Sequence, residues 1–168
     1  SPRLLAANRN AFDFGVSADV DRLPFRDNSF DVVTCFAVLH HLYAFEGLVS
    51  QIARVLRPKG ILYSDHDMDA AFHHRFRWPL TVYRQGRNAK AKYRKACASI
   101  TDEVYELTEW HEKGLDGLCV KRLLEANGFL VDCRFHWFGL TALSDCLVGT
   151  KPRTRGWAPL LSLTAIKG

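Results

Sequence analysis

The chain has 168 residues, with 48% apolar side chains and 23 Lys and Arg against 18 Asp and Glu. That length and balance suit one folded domain with a sizeable core, and they exclude a disordered or low-complexity chain. No apolar run nears the roughly 18 residues of a spanning helix, and the opening SPRLLAANRN does not read as a signal peptide.

The five cysteines (Cys35, Cys97, Cys119, Cys133 and Cys146) are scattered without a C-x-x-C pair. This points to reduced thiols in a cytoplasmic protein, most of them small core residues, and away from a disulfide scaffold or a zinc site. The charge is uneven. Between Asp69 and Asp102 stand eight bases and no acid, namely Arg75, Arg77, Arg84, Arg87, Lys90, Lys92, Arg94 and Lys95, while the rest of the chain is net acidic. Such a segment is either a solvated helical face or a surface for nucleic acid, anionic lipid or an acidic substrate.

In chain order, residues 2–14 read as a helix with Ser1 as N-cap, Pro2 in the first turn and Gly15 as its stop. Val16–Ala18 is a short strand candidate, Leu23–Ser29 is turn-rich, and Phe30–Phe36 (FDVVTCF) is a strand apolar enough for burial on both faces. Asp31, inside that strand, reads as a buried structural carboxylate bonded to nearby backbone. Phe45–Leu56 sets Leu48, Val49, Ile52, Val55 and Leu56 on one helical face, with Pro58 and Gly60 as its end. Ile61–Ser64 is a strand, and a helical, irregular basic segment follows to about Trp110. Leu115–Asn127 is a helix with Leu118, Leu123 and Leu124 toward the core. Phe129–Trp137 is a strand, a loop follows, and Trp157–Ile166 is the last strand.

Helices alternating with apolar strands predict an α/β layer architecture around a mostly parallel sheet. Ligands of such sheets bind beyond the carboxyl ends of the strands. Three places qualify: Asp19, Cys35–His41 and Asp65–Asp69. The histidine pair His40–His41 follows a strand end, and adjacent helical positions diverge by about 100°, so the two rings do not readily serve one atom. A metal reading would draw on His40, His41, Asp65, His66, Asp67, Asp69, His73 and His74, yet no H-E-x-x-H or H-x-H-x-D spacing occurs, and no metal is expected.

The ordered set A-D-x-x-x-L-P-F-x-D-x-S-F-D-V-V, L-H-H-L and R-V-L-R-P-K-G-I-L-Y-S-D resembles the class I S-adenosylmethionine-dependent methyltransferases, nearest their type-11, quinone-biosynthesis-like branch. The resemblance extends weakly to the end through L-L-E-A-N-G-F and a final apolar strand. It implies a Rossmann-like fold and S-adenosyl-L-methionine as cofactor. Asp19 matches the acid that accepts the adenine amino group, Val20 its neighbour with an amide facing the ring, and Leu23 with Pro24 and Phe25 the apolar wall beside adenine. Cys35, Phe36 and Ala37 match the strand end under the methionine part. His40, His41 and His66 are the acceptor-side candidates, placing a catalytic or positioning histidine at the cleft.

The sequence has no G-x-G-x-G. Against the family pattern, the chain reads as a partial domain without the glycine-rich loop, the ribose-binding acid and the first two strands. The expected division is a cofactor-side core over 1–69, a basic and aromatic cap over 70–113, and a C-terminal helix with the last strands over 114–168. The cap aromatics are Phe72, Phe76, Trp78, Tyr83, Tyr93, Tyr105 and Trp110, with His111 and Glu112. The expected activity is methyl transfer to O, N or C of a small-molecule acceptor. A non-catalytic remnant that self-associates or takes a partner through its incomplete sheet is the alternative. RNA modification ranks below both, because aromatics among bases can stack on nucleotides but no RNA-binding module is recognisable.

Overall fold

A computed structural model describes residue 6, residue 10 and residues 13–85, 113–149 and 151–168. The expected helix over 2–14, Cys97 and the cap beyond Gln85 as far as Glu112 lie essentially outside the described residues. A four-stranded sheet has the order β1-β2-β4-β3, formed by β1 (Phe30–Phe36), β2 (Leu56–Met68), β3 (Phe129–His136) and β4 (Leu160–Lys167). β1 pairs parallel to β2, and β4 runs antiparallel to both β2 and β3. Three strands therefore share one direction, and their carboxyl ends meet at one edge.

Two helices cover one face of the sheet, α1 (Glu46–Val55) and α4 (Gly117–Ala126). Leu48, Val49, Ile52 and Val55 of α1 are buried, on the face that the apolar spacing dictates. In α4 the buried residues are Gly117, Val120 and Leu124, whereas Leu118, expected in the core, is exposed. The helix sits rotated because Gly117 approaches the sheet closely, and a Cβ there would stand 3.2 Å from Leu161. Leu62, Leu161, Leu163 and Ala165 complete this core from the strands.

The opposite face is open. Strict alternation puts Val32, Ile61, Ile166 and Leu130 in one register row across all four strands, and each is exposed. β1 is therefore buried on one face only, a correction to the doubly buried reading of its apolar run. Asp31 is also exposed and forms a two-oxygen pair with Arg57 at 2.7 and 2.6 Å, where a buried, backbone-bonded carboxylate was expected. Val16–Ala18 forms no strand; only a single bridge, Asp19 to Arg22, occurs nearby. Pro58 and Gly60 do not cap α1. The helix ends at Val55, and residues 57–60 bulge from the start of β2, where Phe30 pairs Leu56 and Val32 pairs Ile61.

The chain leaves the sheet after Asp69 into α2 (Ala70–Arg75) and α3 (Arg77–Gln85). It returns to the same point, because Leu115 N donates to Met68 O at 2.9 Å and Ala70 N donates to Leu115 O at 3.0 Å. Asp69 is fully buried at this junction and accepts from the amides of Phe72 and Gly156. The loop after β3 contains a further short helix, α5 (Ala142–Leu147), started by a Thr141–Ser144 capping box that reading the segment as loop overlooked. Gly114 makes the return possible: its φ is +94°, and a Cβ would lie 2.7 Å from Ala70 N. Gly114→Ala is expected to lower unfolding free energy by more than about 1 kcal/mol, read as a lower urea midpoint at unchanged slope.

Candidate functional site

The site starts from an irregularity in β2. Ser64 pairs Leu163 and Asp67 pairs Leu161, so β2 carries one residue more than β4 over this stretch. His66 absorbs the extra residue in a left-handed conformation, φ +67°. Without it, alternation would put Asp65 and Asp67 on the same face. With it, Asp65 joins Tyr63 on the open face, and Asp67 turns to the helix-covered face.

On the open face Asp65 gathers a network. Tyr63 Oη donates to its Oδ2 at 2.6 Å, His66 N donates to Oδ1 at 2.6 Å, and His136 Nε2 lies 2.9 Å from Oδ1. Burial pushes the Asp65 carboxyl up, but the Tyr63 hydroxyl, the His66 amide and His136 outweigh it and hold its pKa below the usual 3.8. The same bond pushes the Tyr63 phenol up to about 12, with burial and the Asp65 charge adding to it. These residues edge a cleft of about 850 Å³ over β2, β4 and β3, with Leu130, Arg134 and Phe138 on its walls. His136 Nδ1 and His66 Nδ1 are both buried with no hydrogen-bond partner.

His66 stacks on Phe36 with ring centroids 4.1 Å apart and stands 6.2 Å from the His136 ring. Its Nε2 occupies the space that a Cβ on Gly139 would need, and Gly139 has φ +88°. On the other face, Asp67 is fully buried, and its Oδ1 accepts from His40 N at 3.1 Å and contacts His40 Nδ1 at 2.8 Å. His40 and His41 lie in the 3-10 turn Leu39–His41 that follows β1, their rings 3.9 Å apart. The β2 bulge thus produces two His–Asp pairs, His136–Asp65 and His40–Asp67, on opposite sides of one strand end.

The segment that carries the adenine-side candidates is fastened to α1. Arg54 donates to Phe25 O, Leu23 O and Asp27, and Gln51 accepts from Leu23 N. Asp21 packs against Gly47 in the first turn of α1. Asp19 and Val20 therefore precede a residue held against the N-terminal end of α1. Asp19 is exposed and accepts from Asp21 N at 3.1 Å through Oδ1, leaving acceptor capacity for an amino group. Ala37 has φ +53°, and its N donates to Asp65 O at 2.8 Å, which joins the ends of β1 and β2. Phe36 faces the open side. The Cys35 side chain points into the core, where burial and then the Asp67 charge push its thiol up to about 11, so only its backbone faces the strand end. No group of three metal-ligating side chains occurs among the described residues.

Residue reasoning singled out Asp65, His66, His40 and His41 but passed over Tyr63 and His136 as functional groups. His136 ends a strand parallel to β2, so the carboxyl-end rule would have found it once the strand direction was known. Tyr63 carried no signal beyond alternation. The folded Asp65 pKa lies below its unfolded value. Its stabilisation is therefore complete above about pH 4 and is lost as pH falls through the folded pKa. Chemical denaturation of the protein and of Asp65→Asn is expected to differ at neutral pH, and the difference should close in acid.

Comparison with known proteins bears on the fold and on the pattern of the first 64 residues. A family model described as "Methyltransferase domain" matches residues 1–64. A sterol 24-C-methyltransferase from Gibberella zeae (ERG6B) is 46% identical over 46 residues, 27% of this chain and 12% of its own. A phthiotriol/phenolphthiotriol dimycocerosates methyltransferase from Mycobacterium ulcerans is 42% identical over 59 residues, 34% of this chain and 21% of its own. The matched stretches thus span about a fifth or less of these relatives. Among solved structures, an S-adenosylmethionine-dependent methyltransferase from Thermotoga maritima superposes with TM-score 0.62 at 14% identity, covering 99% of this chain and 70% of that one. One from Mesorhizobium loti gives 0.56 at 18% identity, covering 99% and 77%. Residues 1–64 carry the methyltransferase-domain pattern, and the chain has the fold of the class I S-adenosylmethionine-dependent methyltransferases.

Proposed function

We propose that this chain serves methyl transfer from S-adenosylmethionine to a small, lipid-like acceptor. The observation that supports the reading is the meeting of Phe36–Ala37 and two His–Asp pairs at the carboxyl ends of β1, β2 and β3. When bound, S-adenosylmethionine supplies an electrophilic methyl group on a sulfonium. Asp19 would accept from the adenine amino group, the Val20 amide and Leu23 would line the ring, and the backbone of Cys35–Ala37 would run along the methionine part.

The chain's own task in such a displacement is alignment, which by proximity alone is worth roughly 7–11 kcal/mol. An acceptor that holds a proton also needs a base. Asp67 accepting from His40 Nδ1–H would leave Nε2 as the basic nitrogen of the neutral ring. His66, fixed between Phe36 and Gly139, would position the acceptor, with His41 beside His40 at the rim. The lipid-like class is supported by the apolar walls of the cleft, Leu130 and Phe138, and by the sterol and phthiotriol named for the two relatives. A non-catalytic interaction module is the second reading, favoured by the exposed row Val32, Ile61, Ile166 and Leu130.

Titration of isotope-labelled chain with S-adenosylmethionine separates the two readings. Methyl transfer predicts amide shifts at Asp19, Val20, Phe36 and Ala37; a saturating titration without them would leave only the interaction module. Asp19→Ala is expected to weaken binding about tenfold or more, the worth of a charge-assisted hydrogen bond. Asp67→Ala should abolish the single Nδ1–H tautomer of His40 in nitrogen-15 spectra, and an unchanged tautomer would remove Asp67 as the positioning group. Gly139→Ala should shift the His66 ring resonances while leaving those of His40 in place.

A further inference from the structure

The short helix after β3 is amphipathic the wrong way round. In α5 the polar Ser144 and Asp145 are half-buried, whereas Ala142, Leu143, Cys146 and Leu147 are exposed, Leu143 to 69% and Leu147 to 73%. At about 100° per residue, Leu143, Cys146 and Leu147 share one side of the helix and Asp145 lies opposite. The segment is held together by its own hydrogen bonds. Gly139 N donates to Asp145 Oδ1 at 2.8 Å, Asp145 N donates to Thr141 O at 3.0 Å, and both halves of the capping box are in place. Among the described residues, only Ser144 Oγ reaches back to the strand end, to Trp137 O at 3.4 Å. Two glycines in the left-handed region flank it, Gly139 at φ +88° and Gly149 at φ +57°. The chain leaves at Phe138 and is back at Pro152, both on the wall of the open-face cleft, and Arg153 N then donates to Phe135 O at 2.8 Å.

We propose that α5 is a hinged cover that folds its apolar side over the near end of this cleft once a lipid-like acceptor lies there; the acceptor class rests on the methyl-transfer reading above. Three features select the chain's own cleft as what the apolar side meets. Both ends of the segment stand on the cleft wall, so rotation about the two glycines carries the helix along that wall. The first of these glycines abuts His66 Nε2, which puts the hinge in contact with the acceptor-side histidine. The length also fits. A helix of six residues is about 9 Å long, enough for the end that holds Phe138, Asp65 and His136, and too short for Leu130, about 20 Å back along β3. Closing takes Leu143 and Leu147 out of water, onto Phe138 and the part of the acceptor next to its reacting atom. It also keeps water from that atom.

Alkylation of Cys146 by N-ethylmaleimide, followed peptide by peptide in a mass spectrometer, reads the cover directly, because this exposed thiol shares the side of Leu143 and Leu147. The probe is 1-decanol, one hydroxyl on an apolar chain, added to the full chain without S-adenosylmethionine. Decanol is expected to slow Cys146 about fivefold or more, the mark of a cover closed at least four-fifths of the time. Cys119, exposed on α4, should keep its rate. Leu143→Gln/Leu147→Gln, at exposed positions and with a good helix former in each, should keep the urea midpoint and lose the protection. Unchanged Cys146 reactivity at the solubility limit of decanol, or protection that persists in the double variant, would overturn the proposal. So would protection that grows with protein concentration, which would put a second copy on α5. The S-adenosylmethionine titration stands apart: amide shifts there without protection here would remove the cover and keep methyl transfer, and the converse would keep the cover alone.

Discussion

One extra residue in β2 decides how the sheet edge is furnished. A strand has period two, so Asp65 and Asp67 would share a face of a regular strand, two carboxylates competing for one set of partners. The left-handed turn at His66 breaks that period. Each carboxylate then meets its own histidine, and the two pairs flank the strand from opposite sides. A non-glycine residue in this region of φ/ψ space costs about 1–3 kcal/mol. The hydrogen bonds that converge on Asp65, three of them at 2.6–2.9 Å, are what hold the turn in place.

The second constraint is the way α1 grips the segment before β1. Arg54 spends its guanidinium on two backbone carbonyls and Asp27, which fixes an otherwise irregular stretch along the helix. The insertion obeys a similar economy: it departs and returns through hydrogen bonds at Met68, Ala70 and Leu115, so its contents can vary without disturbing the sheet. Buried Asp69 ties the junction to Gly156 and to the first turn of α2, which links the insertion, the last loop and β2 at one carboxylate.

The two faces of the sheet have different roles. The covered face holds the apolar core and, at its end, His40 with Asp67. The open face runs from the exposed apolar row through Tyr63 and Thr164 to Asp65 and His136, a gradient from apolar to ionisable along the strand direction. A lipid-like acceptor lying along this gradient would have its polar end at the network.

Local pattern was enough for the sequence to determine α1, β1, β3 and the core faces of α1, because apolar periodicity and turn residues act over a few neighbours. The ordered motifs before Asp65 also carried the resemblance that the methyltransferase-domain match over residues 1–64 shares. Tertiary structure alone decided what depends on contacts distant in sequence. The rotation of α4 was set by Gly117 against Leu161, the exposure of Asp31 by Arg57, and the bulge at residues 57–60 by the pairing of Leu56 and Ile61 with β1. It likewise decided the site's membership. His136 reaches Asp65 across 71 residues of chain and Asp67 reaches His40 across 27, and neither pair exists until β4 fixes where β2 must bulge.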